Sequence, residues 1–97
     1  MAKMAEKRAA KKGDKVEVNY TGRFPNGQVF DTSVGRAPLP FTIGGGQLIE
    51  GFDEAVVGMR VGDRKTVTIP PEKGYGFSGH PLAGKTLVFE ISLMAIK

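Results

Sequence analysis

The sequence has no cysteine, no tryptophan and a single histidine, His80. Without cysteine there are no disulfides, no thiolate nucleophile and no cysteine-held zinc. One histidine leaves no imidazole cluster for a metal and no second imidazole for acid–base exchange. Serine and threonine occur, but none sits in a Gly-x-Ser-x-Gly elbow. No apolar run approaches the roughly 20 residues of a membrane helix. The charged start lacks the apolar segment of a leader peptide, so no membrane contact is expected and the default address is cytoplasmic. Ninety-seven residues suit one domain with a single core.

Charge is unevenly placed. Fourteen basic residues against ten acidic ones leave +4. Residues 1–12 carry five of the basic residues (Lys3, Lys7, Arg8, Lys11, Lys12) and one acid, Glu6, whereas from Gly13 to Lys97 there are nine of each. The chain therefore divides into a basic arm, residues 1–12, and an electrically balanced domain, residues 13–97. The arm favours helix by composition but is short for an isolated helix, and Gly13-Asp14 breaks it. Two readings stay open for it: a flexible solubilising tail, or an electrostatic contact with nucleic acid or the ribosome. No aromatic residue is interleaved to stack bases.

The body alternates as strands do. Val16, Val18 and Tyr20 share one face and Lys15, Glu17 and Asn19 the other. Pro25-Asn26-Gly27 is a turn, and Gln28–Ser33 forms the second arm of a hairpin. Gly35–Pro40 reads as a loop because Pro38 and Pro40 suit an interior strand poorly, and Phe41–Ile43 is briefly extended. Leu48, Ile49, Phe52, Ala55 and Val56 recur at helical spacing, which predicts a short helix over Glu50–Val57 with Asp53 and Glu54 on its wet side and Gly58 ending it. Lys65–Ile69 is a strand, Glu72–Lys85 a Gly- and Pro-punctuated loop, and Leu87, Phe89, Ile91 and Leu93 alternate inward along a last strand. The fold class is α+β, an antiparallel sheet with one short helix on its apolar face.

Gly44-Gly45-Gly46 invites comparison with a phosphate loop, yet no Gly-Lys-Ser/Thr follows and Glu50 opens the helix. What remains is aromatic: Tyr20, Phe24, Phe30, Phe41, Phe52, Tyr75, Phe77 and Phe89. Spacing alone makes these core residues.

Six blocks add something more specific. They are Val18-Asn19-Tyr20-Thr21-Gly22, Gly27–Ser33 (GQVFDTS), Gln47–Phe52 (QLIEGF), Val61–Arg64 (VGDR), Gly74-Tyr75-Gly76 and Thr86–Glu90 (TLVFE). In this order and near this spacing, the chain from about Gly13 to Ile96 resembles the FK506-binding family of peptidyl-prolyl cis-trans isomerases. The resemblance implies a half-barrel sheet wrapped around the helix, with a pocket between them and no cofactor. By matched position Phe52 is the pocket floor, Tyr20, Phe30 and Phe89 its walls, with Phe41 close by. Gln47, Leu48 and Ile49 would meet the ligand at the rim, and the Ile49 N–H and the Tyr75 hydroxyl would bond ligand carbonyls. Asp31 would present a carboxylate beside Tyr20; His80 and Leu82 belong to a flap above.

Three departures from the family stand out. Phe52 replaces the usual Trp, Leu39 falls where many members have a further wall aromatic, and the flap from Ser78 to Lys85 is short. That flap is also too short for the chaperone insertion domain of one branch, so a minimal single-domain form is expected. The resemblance implies rotation of X–Pro bonds in exposed, unfolded or nascent proteins and binding of FK506- or rapamycin-type macrolides. The alternative is a module that binds proline peptides or unfolded chains with little turnover.

Overall fold

The computed structural model of the chain describes residues 8–97. Five strands, β1 (Lys15–Arg23), β2 (Val29–Thr32), β3 (Leu39–Thr42), β4 (Arg64–Ile69) and β5 (Leu87–Ile96), accompany one helix, α1 (Glu50–Val56). The sheet is antiparallel throughout, in the order β2-β1-β5-β4, with β3 also on β1. β1 organises it: one edge holds β3 against residues 15–18 and β2 against residues 21–23, and the other takes β5. The two ends of the order do not meet, so the sheet is an open half-barrel, as expected.

Its concave face is the core. Val16, Val18, Ile69, Leu87, Phe89, Ile91 and Leu93 are buried there, and α1 lays Phe52, Ala55 and Val56 onto them. A helix of seven residues has almost no stability of its own; it persists because each large side chain it buries contributes about 1.5–3 kcal/mol. Gly51 sets how close it comes. A β-carbon there would lie 2.7 Å from Ile69 Cγ2, so the helix backbone rests almost directly on β4.

Four local expectations need amending. Pro40 lies inside β3, not in a loop; β3 pairs on one side only, and an edge strand tolerates a proline whose absent N–H faces the unpaired side. The helix ends at Val56, with Val57 already extended and Gly58 at φ 90°. Asp53 is half-buried, its Oδ1 enclosed without a hydrogen-bond partner, so only Glu54 of the pair is on the wet side. Within the loop after β4, residues Pro71–Lys73 form a 3₁₀ turn, started by Pro71 at its first position.

Of the basic arm, residues 1–7 lie outside the described residues, and 8–12 are docked. Ala10 is 2% exposed; its N–H donates to Met59 O at 2.8 Å and its carbonyl accepts from Gly58 N at 2.8 Å. Asp14 gathers Arg8 Nη1 at 2.8 Å, the Lys11 amide at 3.0 Å and Lys11 Nζ at 3.1 Å. These bonds hold its carboxyl down to about 2, the Arg8 guanidinium being the largest influence. Asp14 O accepts from the Ile43 amide and Ile43 O from the Gly13 amide, both at 2.9 Å. Two of the arm's cations are thus engaged within the domain, and residues 8–14 form a strap across it.

Candidate active site

Strands project alternate side chains to one face, so Tyr20 on β1, Phe30 on β2 and Phe89 on β5 converge over the concave sheet, where α1 supplies Phe52. Their rings meet edge to face: Phe52–Phe89 at 5.2 Å and 82°, Phe30–Phe89 at 5.6 Å and 86°, Tyr20–Phe52 at 5.9 Å and 85°. This geometry sets positive ring edges against negative faces and fixes the walls without filling the space between them. Gly22 makes it possible. A β-carbon at that position would lie 2.6 Å from Phe30 Cζ and 2.9 Å from Phe89 Cε1, so both rings lie over bare backbone. A register shift of β2 beside Gly22 turns Phe30 inward while leaving Asp31 paired.

The result is an open cavity of about 290 Å³. Tyr20, Phe30, Phe52 and Phe89 line it; Gln47, Leu48 and Ile49 form one rim, and Asp31 and Tyr75 complete the lining. Nine of the residues expected at a site therefore share one cavity. Leu39 and Gly46 also line it; Gly46 was not anticipated, because the glycine run was weighed only as a phosphate loop and carries no side chain to signal a wall. Phe41 stands behind Phe52, ring to ring at 5.9 Å, outside the lining. His80 and Leu82 are likewise outside it. His80 stacks on Tyr75 at 4.0 Å and 12°, and its Nδ1 accepts from the Leu82 amide at 3.0 Å.

Polar groups sit at the cavity edge. The Tyr20 hydroxyl donates to Asp31 Oδ2 at 2.9 Å, while Asp31 Oδ1 accepts from the Thr32 amide at 2.9 Å and lies 3.8 Å from Arg36 Nη2. Burial, and then the Asp31 carboxylate, push the Tyr20 phenol above its ordinary value; burial and the Asp31 charge do the same to Tyr75. Both phenols therefore keep their protons at neutral pH. Tyr20 spends its proton on Asp31, whereas the Tyr75 hydroxyl has no intramolecular partner among the described residues. On the rim, the Gln47 side chain is fixed by accepting from the Thr42 amide at 2.9 Å. Ile49 caps α1, accepting from the Phe52 and Asp53 amides with its carbonyl, and lines the cavity. An aromatic-walled cavity with a free phenol and one carboxylate at its edge suits a neutral, ring-shaped group.

Residues 6–94 match the family described as FKBP-type peptidyl-prolyl cis-trans isomerase. The chain belongs to this family. FK506-binding protein 1A of Neurospora crassa is 43% identical over 94 residues, which cover 93% of this chain and 78% of that one. FK506-binding protein 3 of Debaryomyces hansenii is 42% identical over 97 residues, covering 98% of this chain and 22% of the relative. FK506-binding protein 4 of Chaetomium thermophilum is 40% identical, with 98% and 20% covered. The chain thus spans about a fifth of the length of the last two relatives. The crystal structure of AtFKBP13 superposes with a TM-score of 0.83 at 32% identity, covering 94% of this chain and 85% of that one. The half-barrel and its helix are the FKBP fold.

Proposed function

We propose that this FKBP-type chain accelerates cis–trans isomerisation of X–Pro bonds, with the prolyl ring in the cavity floored by Phe52 and walled by Tyr20, Phe30 and Phe89. The observation that carries the reading is the convergence of four aromatic rings on one open cavity with the Asp31 carboxylate at its edge. Rotation about an amide needs neither nucleophile nor proton transfer; the obstacle is resonance, a barrier of about 18–20 kcal/mol. The planar amide is the polarised, well-solvated form and the twisted one is less so. An apolar box favours the twisted form, and each 1.4 kcal/mol of that preference is worth about tenfold in rate.

The rim divides the remaining work. The Ile49 N–H and the Tyr75 hydroxyl donate to carbonyls of the bound chain and hold its ends while the bond between them turns. The Asp31 carboxylate, oriented by Tyr20 and Thr32, places negative charge beside the rotating unit. Apolar residues before proline are favoured by the aromatic walls, and macrolides of the FK506 or rapamycin type are expected ligands. Phe52 offers no indole N–H, so macrolide affinity rests on the walls and rim.

The test is isomerisation of Leu-Pro and Phe-Pro tetrapeptides, with and without macrolide. Acceleration that macrolide blocks is expected; an unchanged rate at micromolar protein would overturn the assignment.

A further inference from the structure

Phe77 is 74% exposed, although phenylalanine is among the residues most often buried. It does not hang on loose chain. Immediately before it, the Gly76 amide donates to Pro71 O at 2.8 Å and the Gly76 carbonyl accepts from the Gly84 amide. On either side of the Phe77-Ser78 tip, Gly76 and Gly79 take positive φ values of 71° and 87°. At the base, Tyr75 and His80 stack face to face, closing residues 75–80 into a pinned loop whose tip is an aromatic ring in water. Tyr75 lines the cavity, and two residues span at most about 7 Å, so the backbone that carries Phe77 lies within that distance of the cavity wall.

The cavity holds about 290 Å³, at the small end of ligand clefts, and it is open. A polypeptide substrate with its proline inside must therefore run out across the rim. One apolar residue left exposed is ordinary; an exposed ring on a pinned backbone, one residue-pair away from the cavity wall, is placed to meet a substrate leaving the cavity and has the character of an interface anchor.

We propose that Phe77 is a specificity-determining contact for polypeptide substrates: it packs against an apolar or aromatic side chain that lies outside the X–Pro pair. This rests on the isomerase reading of the cavity and extends the site along the flap. Phe77 has no part in the cavity itself. The consequence is a preference for unfolded segments in which a hydrophobic residue lies a few positions from proline, over short peptides that fill the cavity alone.

The experiment compares wild type, Phe77→Ala and, as a control, Val34→Ala, which removes an equally exposed apolar side chain (75%) from the β2–β3 loop. Each is assayed on a Leu-Pro tetrapeptide and on two twelve-residue peptides with Phe placed three positions before or after the proline. Affinity for the longer peptides is measured by NMR titration. For Phe77→Ala, kcat/KM on at least one longer peptide is expected to fall about three- to tenfold, with a matching loss of affinity. The tetrapeptide rate should be unaltered, and Val34→Ala should match wild type throughout. Equal losses on short and long peptides, or no loss on either longer one, overturn the proposal. If the wild type catalyses none of them, the isomerase reading fails, and the titration still decides whether Phe77 binds the flanking residue.

Discussion

Asp31 gives each of its oxygens a different neighbour, Oδ2 the Tyr20 hydroxyl and Oδ1 the Thr32 amide, which fixes the carboxylate plane against the cavity. Asp31→Leu should lower kcat/KM about tenfold, the equivalent of roughly 1.4 kcal/mol, with an unchanged circular-dichroism spectrum. Tyr75→Phe should cost a few-fold, since only one rim donor is lost; full activity in both would remove them from the mechanism. The phenols also set an alkaline limit. Because Tyr20 and Tyr75 titrate above the ordinary 10.0, neither should depress activity on an uncharged peptide below pH 10. A pH–rate profile that fell earlier would assign the loss elsewhere. Among the glycines Gly22 has the least room for change: Gly22→Ala drives a methyl group into Phe30 and Phe89. We expect a loss of about 1–3 kcal/mol in stability, as for other overpacked sites, together with shifted ring resonances of both phenylalanines.

Among the elements, the strap of residues 8–14 has the most to explain, because composition alone made its first five residues part of an arm. It brackets the segment that builds the floor and rim. Asp14 and Gly13 pair with Ile43, just before the glycine run, and Ala10 pairs with Gly58 and Met59, just after α1. Deleting residues 1–12 removes both Ala10 backbone bonds, each worth roughly 0.5–1.5 kcal/mol net. That should lower Tm by at least several degrees in a domain of this size. The Asp14 cluster carries a pH signature. Its folded-state carboxyl is lowered to about 2 from 3.8, so its contribution is present above about pH 4 and is lost as pH falls toward 2. Asp14→Asn should therefore flatten the acid limb of the stability curve in that interval, measured by thermal unfolding between pH 2 and 5. An unaltered acid limb would show that the cluster contributes nothing.

At the scale of the molecule, the first and last strands are partners. β1 and β5 pair from Val16↔Ile96 to Arg23↔Val88, so the central pairing of the sheet joins the two ends of the chain. Closing that loop costs entropy before its contacts form, and a domain of this kind is expected to fold in milliseconds to seconds. The same topology explains the aromatic site. Tyr20, Phe52 and Phe89 are far apart in sequence and meet only because β5 returns beside β1 under the helix. Among the described residues no helix is long and apolar enough to cross a membrane.

Much of this was legible beforehand, and the legible parts share a cause. Val16, Val18, Leu87, Phe89, Ile91 and Leu93 fall into the core because side-chain alternation along a strand is fixed by the backbone, whatever surrounds it. The helix follows from equally local rules, although it ends one residue early, at Val56. Tyr20, Asp31, Ile49, Phe52, Tyr75 and Phe89 were picked out by resemblance; spacing alone would have left the aromatics as core. Local rules failed where the outcome depended on a distant neighbour: Pro40 is a strand residue because β3 has one free edge, and Ala10 is buried because the 58–59 turn lies against it. Phe41, expected close to the ligand, lies outside the cavity lining with its ring against Phe52.

Composition and pattern by themselves determined an α+β domain with a balanced body, no cysteine, a single histidine and an aromatic inventory, since each of these depends on residue type or on nearest-neighbour geometry. Only the tertiary structure decided which aromatics enclose space and which fill it, that two of the arm's cations belong to Asp14, and that Phe77 stands in water on a pinned loop. Those are matters of which surfaces the closed chain brings face to face, and no local stretch of sequence contains both surfaces.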